Sequence, residues 1–137
     1  MKKITYSINK KISSEFIKKL YEDAGWYNYT KDISNLIKAL NNSLILISAW
    51  DEENLVGLVR VVGDGYTIVY IQDILILKDY QRKGIGSELI KLVLSKFSNV
   101  RQKVLLTDDV EETRLFYEKL GFISCDKGEV VAFAKFN

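Results

Sequence analysis

The strongest constraint on this chain is the run over residues 71–97, IQDILILKDYQRKGIGSELIKLVLSKF. Residues 74–77 form an unbroken apolar run of strand length, whereas Leu89, Ile90, Val93, Leu94 and Phe97 recur at helical spacing. The hydrophobic period therefore switches from strand-like to helical across the glycines Gly84 and Gly86. A strand that feeds a glycine turn opening a helix lets backbone N–H groups converge just before a positive helix end. That layout suits a diphosphate.

Two other phosphate-binding signatures fit poorly. A dinucleotide fingerprint needs a small residue where this chain has Leu89, and its glycines follow the strand at once rather than after residues 78–83. The pattern G-x-x-x-x-G-K-[ST] does not occur. Gln81-x-x-Gly84-x-Gly86 instead resembles the Q/R-x-x-G-x-G/A signature of the GCN5-related N-acetyltransferases (GNAT). The loop of that family wraps the pyrophosphate of acetyl-coenzyme A. A second stretch, Thr113-Arg-Leu-Phe-Tyr117-Glu-Lys-Leu-Gly121-Phe122, resembles the family's tyrosine-bearing helix and following Gly-Phe, in the expected order.

Composition agrees with a globular protein. At 137 residues, 47% apolar and 28% charged, the chain fits one domain over residues 1–137 with a real core. No apolar run approaches the ~18 residues of a membrane span. Met1-Lys2-Lys3 is positive, but no apolar segment or small-residue cleavage site follows, which predicts a cytoplasmic protein with no membrane partner. A net charge of +2 without a basic block gives no footprint for nucleic acid. The single Cys125 and the absence of histidine predict no disulfide, no ordinary metal site and no Ser-His or Cys-His nucleophile. Proton transfer falls to carboxylate, tyrosine, lysine, cysteine or water.

Patterning predicts the order β-α-α-β-β-β-α-β-α-β-β. The strands cover residues 3–6, 44–50, 55–62, 67–77 and 103–106, with a final hairpin over 122–125 and 130–136. Helices cover 15–24, 32–40, 86–97 and 111–120, the first capped by Ser13 or Ser14. Residues 26–30 read as an aromatic loop. The middle strands form an antiparallel meander, and the third continues through a helical crossover to a parallel neighbour. The resulting α/β (α+β) class, a mixed sheet of about seven strands with helices on both faces, is similar to the GNAT fold. The last hairpin leaves an edge, compatible with a monomer or a homodimer.

The resemblance implies roles for individual residues. Gln81, Arg82, Lys83, Gly84, Ile85, Gly86 and Ser87 would hold the pyrophosphate, mainly through backbone amides. The backbone of Ile74, Leu75 and Ile76 would pair with the pantetheine arm. Tyr117 would protonate the departing thiolate, although a tyrosine in a stripe with Leu115, Phe116 and Leu120 also suits simple packing. Many family members carry asparagine and alanine where this chain has Val110 and Thr113, so Thr113 is the candidate hydroxyl contact there.

The acceptor side is read from the residues themselves. A carboxylate inside an apolar strand is costly to bury unpaired, so Asp73 either lines a wet cleft as a base or meets specific hydrogen-bond partners. Asp108 and Asp109 lie beyond the next strand, either facing the acceptor or capping the following helix. Trp26, Tyr27, Tyr29, Tyr66 and Tyr70 offer aromatic faces suited to a small cation, or else pack as ordinary strand and junction residues. Together these features predict direct acetyl transfer from acetyl-CoA to a small-molecule primary amine in a ternary complex, with no metal. Acetylation of protein lysines or N-termini, and a non-catalytic acyl-CoA sensor, are the alternatives.

Overall fold

Alternating apolar residues separated by short polar turns give the larger part of the chain its antiparallel sheet, seen in a computed structural model that describes residues 3–137. The positive start at Met1 and Lys2 lies outside the described residues. The elements are β1 (Ile4–Ile8), α1 (Ser14–Asp23), α2 (Tyr27–Thr30), α3 (Ile33–Asn41), β2 (Ile45–Asp51), β3 (Asn54–Gly63), β4 (Ile68–Ile76), α4 (Ile85–Lys96), β5 (Gln102–Leu105) and α5 (Glu111–Lys119). One-turn 3-10 helices occupy Lys78–Tyr80 and Cys125–Lys127. The strands lie in sequence order, antiparallel from β1 to β4, with β5 parallel to β4 across the α4 crossover.

Side-chain alternation along β3 separates two cores. Leu58 joins Ile17, Leu20 and Tyr21 of α1, Leu36 and Leu40 of α3, and Leu75 of β4. On the opposite face, the Gly57 position lies against Ile85 of α4, whose Leu89, Ile90 and Val93 are also buried. Helices thus cover both faces, as expected. Ser13 accepts the Phe16 N–H at 3.3 Å and starts α1, while Asp32 accepts the Asn35 N–H at 3.1 Å and starts α3. The expected aromatic loop is in part a helical turn, α2.

Among the described residues the sheet has five strands rather than about seven, because the final hairpin does not form. Residues 122–124 are irregular, Cys125–Lys127 is a 3-10 turn, and residues 128–137 carry no regular structure. Polar bonding explains the turn: Arg114 donates to Ser124 at 3.0 Å and pairs with Asp126 at 3.1 Å, and Ser124 also bonds Asp126. Val131 and Phe133 are 71% and 94% exposed, so the alternation there buries neither side chain. The chain divides into a larger unit ending at Leu106 and a smaller unit, Thr107–Asn137.

Candidate active site

The outer edge of β4 is the first element of the site. β5 pairs with β4 only from Ile68 to Ile71, so residues 73–76 have a β3 partner on one side and no strand on the other among the described residues. The Leu77 N–H donates to Val56 of β3 at 2.9 Å, and strand groups alternate in direction. Leu75 therefore turns its N–H and C=O toward β3, whereas Ile74 and Ile76 turn theirs to the open edge. Gln81 confirms this orientation by donating its side-chain amide to the Ile76 carbonyl at 3.2 Å. Leu75 is a core residue, and of the three expected backbone contacts only Ile74 and Ile76 have outward-facing groups.

The glycine turn supplies the second element. Arg82 and Gly84 both adopt left-handed backbone, at φ 63° and 82°. A Cβ at Gly84 would touch nothing, so glycine is favoured there by the dihedral rather than by space. Gly84 is the N-cap of α4 but has no side chain to cap it, and the first helical bond runs from the Glu88 N–H to the Gly84 carbonyl at 3.0 Å. The N–H groups of Ile85, Gly86 and Ser87 are thereby left without intrahelical acceptors, at the positive end of the helix. Such a helix start favours an anion. Lys83 extends to within 5.5 Å of the Tyr80 ring centroid. The turn is anchored beneath by Tyr80 donating to Asp51 at 2.5 Å and by the Lys78 N–H donating to Asp23 at 2.8 Å.

The third element is a polar knot under an aromatic wall. Asp73 is buried, with one carboxylate oxygen accepting from Arg60 Nε at 2.7 Å and from the Tyr21 hydroxyl at 2.9 Å. Its other oxygen accepts the Tyr29 hydroxyl at 3.1 Å, and the Gln72 amide donates to that same hydroxyl at 3.2 Å. Of the two expectations for Asp73, this is the one with specific partners. Burial, then the Asp73 charge and hydrogen bond, hold the Tyr21 phenol far above its ordinary pKa, so it remains a donor. Tyr21, Tyr29 and Trp26 pack together, with Tyr21 and Tyr29 edge to face at 5.4 Å. Burial lifts the half-buried Tyr70 phenol against the lowering effect of the Leu106 N–H, with smaller contributions from Tyr29 and Asp73. Tyr27 and Tyr66 are 61% and 86% exposed and lie outside this cluster.

The smaller unit carries Tyr117, and its helix end explains the tyrosine-to-phenylalanine spacing. Gly121 takes φ 95°; its N–H bonds the Glu118 carbonyl at 3.0 Å, and the Phe122 N–H bonds the Tyr117 carbonyl at 3.1 Å. This is a Schellman cap, in which the residue beyond the glycine folds back on the last turn. The Phe122 ring accordingly meets the Tyr117 ring edge to face at 5.7 Å, with Phe116 at 5.0 Å on the other side. Burial pushes the Tyr117 phenol up to about 12. Thr113 lies one turn earlier on the same helical face and is half-buried. Asp108 is exposed. Asp109 does not cap α5, whose N-cap Val110 has no side-chain bond, but pairs with Arg114 at 2.6 Å.

Sequence reasoning missed Tyr21, Arg60 and Gln72. Tyr21 reads as one more inward residue of α1, but Arg60 inside the apolar run of β3 mirrors Asp73 inside β4. The two sit opposite one another in register. Paired charges in neighbouring apolar strands were the available signal.

Comparisons with known proteins agree with this architecture. The profile described as "Acetyltransferase (GNAT) domain" matches residues 10–136. A GNAT-family acetyltransferase from Streptococcus pneumoniae TIGR4 superposes with a TM-score of 0.88 at 35% identity, covering 98% of each chain. A ycf52-like N-acetyltransferase of Prochlorococcus marinus is 31% identical over 123 residues, 85% of this chain and 66% of its own length. The aminoglycoside N-acetyltransferase AAC(6')-Iy, solved with CoA, shares the fold at 17% identity, with a TM-score of 0.75 covering 99% of this chain and 96% of its own. The chain belongs to the GNAT acetyltransferase family.

Proposed function

We propose that this protein transfers the acetyl group of acetyl-CoA directly to the primary amine of a small molecule. The observation that carries the reading is the uncapped start of α4, where a left-handed glycine leaves three N–H groups beside the open edge of β4. In this reading the amides of residues 82–87 hold the pyrophosphate, with the Arg82 and Lys83 charges supplementary. The outward groups of Ile74 and Ile76 take the pantetheine arm as an added strand. The CoA complex of AAC(6')-Iy supports the same co-substrate for this fold.

Direct transfer forms an amide bond to the acceptor nitrogen while the thioester C–S bond breaks, and the departing thiolate takes up a proton. The thiol's ordinary pKa is about 8.5. The Tyr117 phenol, raised to about 12, remains protonated across the physiological range and can serve as the donor. Asp73 is better suited to holding the wall than to accepting the amine's proton. Protonating it would weaken the Arg60 ion pair and two phenol hydrogen bonds at once. The aromatic faces of Trp26, Tyr29 and Tyr70 gather the acceptor as its ammonium, and its neutral fraction reacts. The proton that the nitrogen sheds as the amide forms passes to water, and the Tyr117 phenolate regains a proton from solvent.

Thiol release from acetyl-CoA across polyamines, amino acids, aminoglycosides and lysine peptides tests the reading. Release with one class of small amine and little with peptides is expected. Release with peptides alone would replace the small-molecule acceptor, and binding of acetyl-CoA without release for any amine would make the protein a sensor.

A further inference from the structure

The larger unit also holds an open cavity of about 530 Å3 that shares no lining residue with the glycine turn or the aromatic wall. It lies among the β1–α1 connection, α1, α3 and the start of β2. Its floor is apolar, formed by Ile12, Ile17, Ile37, Leu40 and Leu46. Lys10 and Lys11 lie at its edge, and no carboxylate lines it.

Local geometry fixes that edge. Asn9 takes left-handed backbone at φ 54°, accepts the Leu46 N–H on its side-chain oxygen at 2.9 Å and donates its own N–H to the Leu46 carbonyl at 2.7 Å. This clamp ends β1 and sends the two lysines along the cavity. The Lys10 ammonium lies 4.1 Å from the centroid of the Trp50 ring. On the inner side, Ser43 donates to the Ala39 carbonyl at 2.9 Å and accepts from Arg60 Nη1 at 3.5 Å, which brings a guanidinium edge up behind the lining. The site thus joins a greasy floor to an electropositive edge.

We propose that this cavity binds a small amphipathic monocarboxylate, with its hydrocarbon body on the isoleucine and leucine floor and its carboxylate between Lys10 and Lys11. The volume is within the range of about 300–1,000 Å3 usual for small-molecule sites. An inorganic anion would leave the floor unused. An amine of the same length would meet two like charges.

Methyl NMR of the intact protein tests this with octanoate, octylamine and 1-octanol as probes, all below micelle formation. Octanoate is expected to shift the Ile12, Ile37 and Leu46 methyls saturably, and to bind at least about tenfold tighter than either other probe, since hydrogen bonds to charged groups contribute on that scale. The K10E/K11E variant should lose about tenfold or more in octanoate affinity while the Val59, Val61 and Leu89 methyl signals stay in place. Equal affinity for octylamine or octanol, shifts confined to other methyls, no saturation, or unchanged octanoate affinity in a folded K10E/K11E variant would overturn the proposal. Should that variant fail to fold, the three-probe comparison on the unmodified protein decides alone.

Discussion

Substituting Asp73→Asn keeps the side chain's shape but removes the charge on which Arg60, Tyr21 and Tyr29 converge. An amide retains one acceptor oxygen, and its NH2 would face a donor. Arg60 is only 7% exposed, so its guanidinium would be left buried beside a neutral group. Breaking a buried ion pair in this way costs about 3–5 kcal/mol. Against a total stability of roughly 5–15 kcal/mol, that is a large fraction of the margin. Urea unfolding followed by circular dichroism should show the loss as a lower midpoint at unchanged slope. A thermal midpoint lower by on the order of 10–20 °C should accompany it. The pairing is checked by R60M/D73N, which should be more stable than the sum of the single losses predicts. A loss below about 1 kcal/mol for D73N, or strict additivity, would refute the view that this ion pair anchors the wall.

Tyr117→Phe should lower kcat by about a hundredfold with little change in the KM for acetyl-CoA, and wild-type turnover should show no alkaline limb from this phenol below about pH 11. If Asp73 is not the base, kcat/KM should climb with pH toward an acceptor pKa of about 10, and a D73N protein kept folded at low temperature should retain that climb. Tyr21 and Tyr117 have folded pKa values raised above their unfolded value, so the stability they contribute is complete below about pH 10 and is lost as pH rises beyond it. The limiting slope is about 1.4 kcal/mol per pH unit for each phenol, and Y21F should flatten it in alkaline urea titrations. Gly121→Ala forces a side chain into left-handed backbone at φ 95° and should cost about 1–2 kcal/mol. It should also loosen the Phe122 contact with Tyr117, read as altered near-ultraviolet dichroism.

The sequence made the meander, the crossover and the glycine turn before α4 legible because each rests on local chemistry: hydrophobic period and a glycine at a left-handed position. The same reasoning fails at residues 122–136, where alternation predicts a hairpin. Alternation predicts a strand only if another strand is there to pair, and Arg114 instead ties Ser124 and Asp126 into a turn. For Asp73 the sequence posed the right alternatives but lacked the register that sets Arg60 opposite it. Leu75 illustrates a subtler limit. Which backbone groups of β4 face outward depends on pairing parity with β3, and no side chain records that. The tyrosine-to-phenylalanine spacing was recognised as a family likeness, while its physical content, a Schellman cap seating Tyr117, became visible only in the hydrogen bonds.

The central claim is that the turn at Gly84 and the start of α4 hold a diphosphate. Calorimetric titration with acetyl-CoA and with S-acetylpantetheine, which lacks the diphosphate and nucleotide, tests it most directly when repeated in Gly84→Val and compared with 3',5'-ADP, which lacks the pantetheine arm and the bridging diphosphate. The account predicts that acetyl-CoA binds at least about a hundredfold tighter than either fragment, since several charge-assisted hydrogen bonds are at stake. It also predicts that Gly84→Val removes most of that preference while S-acetylpantetheine affinity barely changes. Equal affinities for acetyl-CoA and S-acetylpantetheine, or an undiminished preference in a folded Gly84→Val protein, would contradict it.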